Sequence, residues 1–164
     1  MTELITLATQ APAVDVTQKA LIYTAAFCAI AIAAIGSAYG TGVAASAAIG
    51  AWKKCFVQNK PTPFQLMIFA GCPLSQTIYG MILMFSLLKG NSAAWIFYLG
   101  TGILSGLAIG VSAMLQGKAC ASACDAFSET GKGFANQMVV ICIVETVAIF
   151  VMAFCMVLLS SFGA

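Results

Sequence analysis

The chain has 164 residues, of which 62% are hydrophobic and only 7% charged, with a net charge of +2 and no histidine. Soluble domains carry about 25% charged residues, so a water-soluble fold is excluded, and so small a positive surplus gives no basis for binding nucleic acid. Seven cysteines without a histidine offer no mixed Cys/His zinc set.

Residues 1–18, MTELITLATQAPAVDVTQ, are only mildly apolar and carry Glu3 and Asp15. No basic stretch precedes an apolar core there, so no cleaved signal peptide is expected. From Ala20 to Trp52 no charge occurs. A helix of about 33 residues runs about 50 Å at 1.5 Å per residue, more than the ~30 Å of a hydrocarbon layer. The surplus is expected to protrude around Ser46–Lys54 as a docking surface for a soluble partner. This first helix carries Gly36, Gly40, Gly42, Ser46 and Gly50, with alanine between them.

A loop with Lys53, Lys54 and Lys60 leads into a second uncharged run, Pro61–Leu88, rich in Phe, Met, Ile and Leu. Its polar residues, Ser75, Gln76 and Tyr79, follow Pro73 closely. Ser75 and Tyr79 are four apart and share a helix face. Pro73 removes a backbone donor, which loosens the helix and can turn a carbonyl towards a ligand. Beyond the short turn Lys89–Asn91 comes a third run, Gly90–Gly117, with glycines 102, 106 and 110 on one face and Gln116 near its end. The fourth, Gly133–Ala164, contains one charge, Glu145, in the middle of the apolar stretch Met138–Ser160. An acidic group at the centre of a bilayer costs roughly 2.5–3.5 kcal/mol, and such groups mark ion or proton sites. The expected fold class is therefore an all-α membrane protein of four transmembrane helices.

The chain repeats itself. Ser37-Ala38, Gly42 and Ala44 meet Ser112-Ala113, Gly117 and Ala119 at an offset of 75, and Gln76-Thr77 meets Glu145-Thr146 at an offset of 69. The expected organisation is an N-terminal segment (1–18), a first helical hairpin (19–89) and a second (90–164) that carries the carboxylate. The small faces, Gly36, Gly40 and Gly42 on the first helix and Gly102, Gly106 and Gly110 on the third, let backbones approach closely in lipid. They are expected to pack those helices against equivalent copies, with the bulky second and fourth helices outside, facing lipid. Lysines 53, 54, 60, 118 and 132 outnumber Lys19 and Lys89 on the opposite side. This bias places loops 1–2 and 3–4 in the cytoplasm and both termini outside. The cysteines, including Cys120 and Cys124 one turn apart, are read as small apolar packing residues, and no transition-metal site is expected.

At membrane depth the polar groups are Ser75, Gln76, Tyr79, Gln116, Glu145 and Thr146, together with a backbone carbonyl near Pro73. All are oxygen ligands, which suits a hard cation. A monovalent cation would neutralise the single carboxylate. A proton is the alternative, since burial favours the neutral acid. A third reading has these groups only holding helices together.

These residues resemble the rotor-ring proteolipid (K or c subunit) of V-type ATPases, and most closely the bacterial sodium-pumping branch. The resemblance rests on Gly36–Gly42, Pro73-Leu-Ser75-Gln76-Thr-Ile-Tyr79-Gly80, Gln116-Gly117-Lys118 and Val144-Glu145-Thr146. It implies that Glu145 binds Na+ (or H+), that Gln76 and Gln116 give side-chain oxygens, and that Ser75 gives a hydroxyl and Cys72 its backbone carbonyl. Tyr79 would steady Glu145 from outside, and Thr146 stands beside it. Ser75 replaces the family's threonine and Cys72 a leucine. The implied partners are identical copies in a ring, a stator membrane subunit of the a or I type with a basic residue, a central-stalk subunit of the d or C type, and lipid. The implied setting is a bacterial plasma membrane. No organic cofactor is implied, and no GxxxxGK[ST] loop occurs, so ATP would be hydrolysed in other subunits. The competing class is a small four-helix secondary transporter of the multidrug type, in which the intramembrane glutamate lies on the first helix.

Overall fold

Long uncharged stretches have no water in a bilayer to satisfy their backbone groups, so they close their hydrogen bonds within helices. A computed structural model follows this rule, and it describes the backbone of residues 2–162 and the side chains of residues 16–162. Helices α1 (Thr2–Val57), α2 (Gln65–Gly71), α3 (Ser75–Leu87), α4 (Trp95–Thr130) and α5 (Phe134–Phe162) succeed one another, with a 3-10 turn at Cys72–Leu74 joining α2 to α3. They form four apolar spans, 16–57, 65–87, 92–130 and 134–162. The chain is an all-α integral membrane protein. Glu3 and Asp15, on which the N-terminal reading rested, lie outside the described side chains, and α1 passes residue 18 without a break.

The first span is longer than its uncharged run. It covers 42 residues and the third covers 39, or about 60 Å each at 1.5 Å per residue. Both exceed a hydrocarbon layer and extend towards the same end. There Lys54 Nζ lies 2.8 Å from Asp125 Oδ1 and 3.7 Å from Glu129 Oε1, tying α1 to α4. Trp52 Nε1 donates to the carbonyl of Pro63 at 2.9 Å and fastens the connecting loop. The turn into α5 passes through Gly131 (φ 64°) and Gly133 (φ 83°), a left-handed backbone that costs glycine nothing.

α1 and α4 run parallel and form the most extensive contact of the chain. α1 buries a stripe of small residues that includes Ala25, Ala29, Ala33, Ala44 and Ala48. A Cβ added at Gly36 would meet the Gly110 backbone, at Gly102 the Ala25 carbonyl, and at Gly106 the Cys28 carbonyl, 2.9 Å away. Gly40 likewise meets the Ala113 carbonyl, and Gly110 the Ile32 carbonyl at 2.8 Å. These five glycines thus pack the first and third spans of one chain together, which corrects their assignment to contacts between copies. Gly42 has nothing within 4 Å and takes no part in this contact.

α3 leans on α1, α5 on α4, and the two also touch each other. Two apolar clusters result. One gathers Ile22, Ala29, Leu83, Leu87, Tyr98 and Leu159, and the other Ala48, Leu66, Phe69, Cys124, Phe127 and Ile141. Phe69, Phe127 and Phe134 close the second with ring centroids 5.3–6.2 Å apart. The belt between the clusters holds the polar residues.

Candidate ion-binding site

Pro73 is the local cause of the site. Lacking an N–H, it cannot continue the α-helical ladder, and the chain tightens into the 3-10 turn Cys72–Leu74 before α3 resumes at Ser75. The Cys72 carbonyl is therefore not left loose. It accepts both the Ser75 backbone N–H and the Ser75 hydroxyl, the latter at 3.0 Å. The break also sets the phase of α3, so that Gln76 addresses α4 and Tyr79 addresses α5.

A continuous chain of hydrogen bonds follows. Ser75 Oγ shares its single proton between the Cys72 carbonyl and Gln76 Oε1, 3.2 Å away. Gln76 Nε2 donates to Gln116 Oε1 at 2.7 Å. Gln116 Nε2 donates to Glu145 Oε2 at 3.3 Å and lies 3.4 Å from the Ile141 carbonyl. Tyr79 donates its hydroxyl to the other carboxylate oxygen, Oε1, at 2.6 Å. Gln76 and Gln116 are fully buried, whereas Ser75, Tyr79 and Glu145 are half-buried at the outer edge of the helix cluster. Three elements thus converge on one carboxylate.

Among the sequence candidates, Gln76, Gln116, Ser75, Tyr79, Glu145 and the Cys72 carbonyl come together. Thr146 does not. It is exposed, and its hydroxyl bonds back to the Ile143 carbonyl of its own helix at 2.6 Å. One contributor escaped the sequence reading. Buried Ser112 donates to the Val144 carbonyl at 3.2 Å and fixes the backbone just before Glu145. Its signal was its place four residues before Gln116, on the same face. The first-hairpin counterparts of Ser112 and Gln116 are Ser37 and Thr41. Their buried hydroxyls have no partner among the described residues.

Chemically the belt offers amide, hydroxyl, carbonyl and carboxylate oxygens around one negative charge. Rotating a glutamine amide by half a turn exchanges its N–H2 for its oxygen. The two glutamines can therefore donate to a bare carboxylate or turn their oxygens to a cation held by it.

Fold and site together define a four-helix membrane proteolipid with a single carboxylate at mid-span. Residues 99–158, which include Gln116 and Glu145, match the family model of the ATP synthase C subunit. The A-type ATP synthase subunit K of Methanocaldococcus jannaschii is 34% identical over 119 residues, covering 70% of this chain and 52% of that protein. The chain spans about half the length of this relative. Both similarities run to membrane subunits of ATP synthases, the C subunit over the helices that carry Gln116 and Glu145 and the A-type K subunit over most of the chain.

Proposed function

We propose that this chain is the ion-carrying rotor subunit of a V/A-type ATPase, and that the carried ion is Na+. Identical copies form a ring in a bacterial plasma membrane, with both termini outside and the two lysine-bearing loops in the cytoplasm. Glu145 takes up a cation, the pair becomes neutral, and the neutral pair passes through lipid as the ring turns. A basic residue on a stator subunit then competes for the carboxylate and releases the ion. ATP is hydrolysed in other subunits and reaches the ring through a central stalk, so this chain does no catalysis itself.

The observation that carries the reading is the half-buried Glu145 carboxylate, bonded through one oxygen to Tyr79 and through the other to Gln116. A proton would leave the amides nothing to do beyond hydrogen-bonding the neutral acid. Here two amides, a hydroxyl and a carbonyl stand in one connected series behind the acid, a donor set that matches a hard cation. Only one of the two hairpins bears an acid. Moving one charge costs ~2.3 kcal/mol per 100 mV, so fewer ions per turn let a given input of ATP energy build a steeper gradient.

The test is carbodiimide modification of Glu145 in the assembled protein. Na+ near neutral pH is expected to protect the carboxylate in a concentration-dependent manner. Protection that follows pH alone and ignores Na+ would make the ion a proton.

A further inference from the structure

The duplication supplies a template for how one copy meets the next. The first arms of the two hairpins are related by an offset of 75 residues (Ser37 to Ser112, Gly42 to Gly117). Inside the chain those arms touch at Ala25/Gly102, Cys28/Gly106, Ile32/Gly110 and Gly40/Gly117. Every α4 residue in these pairs lies within one helical turn of the duplicate of its α1 partner. The two hairpins therefore stand side by side at the same depth. They are related by a rotation with almost no slip along the helix axis. Repeating that step places a new α1 against the far side of α4. Head-to-tail contacts of this kind close into rings when the rotation closes.

We infer that α4 of one copy receives α1 of the next copy in the register of the chain's own α1–α4 contact, with Leu115 seated in the notch at Gly42. This rests on the rotor reading and adds to it the residues that join the copies. The mapping is specific. The internal pair Gly40/Gly117 becomes Leu115 against Gly42 of the next copy. Ala25/Gly102 becomes Gly100 against Phe27 of the next copy, and Gly36/Gly110 becomes Val111 against Ile35 of the next copy.

The surfaces of the single chain fit these pairs. Leu115 and Val111 are each 52% exposed, Ile35 63% and Phe27 66%, although they lie on the two helices that form the centre of the chain. Gly42 and Gly100, which the mapping places opposite the large side chains, have nothing within 4 Å. A bulky residue thus faces a bare backbone position twice, with knob and hole exchanged between the helices. Gly42 also lies in a notch lined by Ala38, Tyr39, Val43 and Ser46. A merely lipid-facing surface gives no reason for large residues and bare glycines to match across a register fixed by a different contact. Glycine meets glycine within the chain, but leucine meets glycine and valine meets isoleucine between copies. The helices of the inner circle therefore alternate between a close spacing and a wider one.

Paired cysteines test the register. In membranes carrying the full protein, Gly42→Cys with Leu115→Cys is expected to give a ladder of multimers after mild oxidation and electrophoresis without reductant. Neither single variant nor the parent chain, with its seven native cysteines, is expected to give that ladder. Should the first pair fail to accumulate, Ile35→Cys with Val111→Cys tests the same register without filling a glycine position. Both pairs retaining a many-copy mass in detergent and forming no ladder would overturn the inference while leaving the rotor reading intact. A purified chain no larger than a dimer would overturn the rotor reading and this inference with it.

Discussion

Tyr79 reaches Glu145 from α3 at 2.6 Å. A hydrogen bond to a charged group is worth roughly 1.5–3 kcal/mol, which corresponds to about a tenfold to hundredfold change in an equilibrium constant. Tyr79→Phe keeps the ring in place and removes only the hydroxyl. It is expected to move the Na+ concentration that half-protects Glu145 from carbodiimide by at least about tenfold. A weakening is expected if Tyr79 orients the carboxylate for the cation. Unchanged protection would reduce Tyr79 to a packing residue. Thr146→Val is expected to leave the protection curve where it was, because Thr146 serves only its own helix. At this scale the convergence of Gln76, Gln116, Tyr79 and Glu145 was legible, since lone polar residues in apolar helices have few places to go. Thr146 misled because adjacent residues on a helix do not share a face. Ser112 was passed over because a serine among glycines and alanines reads as packing.

Glycine positions carry the element scale. The small faces of the first and third helices were legible in the sequence, but the identity of the backbone that covers them was not. A sequence gives the bulk of a face and says nothing of which helix closes on it. Here α1 and α4 of the same chain cover each other. Gly36→Val would drive a side chain into the Gly110 backbone, a wall that cannot rotate aside. Overpacking costs about 1–3 kcal/mol, and a backbone wall puts this substitution at the upper end. A lowered melting transition of the detergent-purified protein is the expected readout. Gly50 is the contrasting case, exposed near the end of α1 with nothing within 4 Å. Gly50→Ala is expected to raise stability by up to about 1 kcal/mol through helix propensity. If both substitutions gave the same shift, the α1–α4 contact would not be the close one described. The break at Pro73 was legible as a break, although its outcome, a tightened 3-10 turn with the Cys72 carbonyl twice engaged, depended on how Ser75 turned.

Across the whole molecule the polar belt lies between two apolar clusters, and the division suggests which part holds the fold and which part works. The four spans followed from the charge-free runs. The ties at the protruding end, Lys54 to Asp125 and Glu129, did not, because they join residues about seventy positions apart. If the belt only glued helices, removing the acid would loosen the assembly. Interhelical hydrogen bonds in membranes average only ~0.6 kcal/mol, and Glu145→Gln keeps a carbonyl oxygen for Tyr79 to address. Glu145→Gln turns a charge-assisted bond into a neutral one and is thus expected to change the stability of the purified assembly by about 1–1.5 kcal/mol, with copy number unchanged. The same variant should lose all ATP-driven ion transport and all carbodiimide labelling at that position. Stability and transport therefore separate in one variant. A collapse of the assembly would make Glu145 a structural residue, whereas a stable assembly that moves no ions fits a carboxylate whose charge serves only the cation.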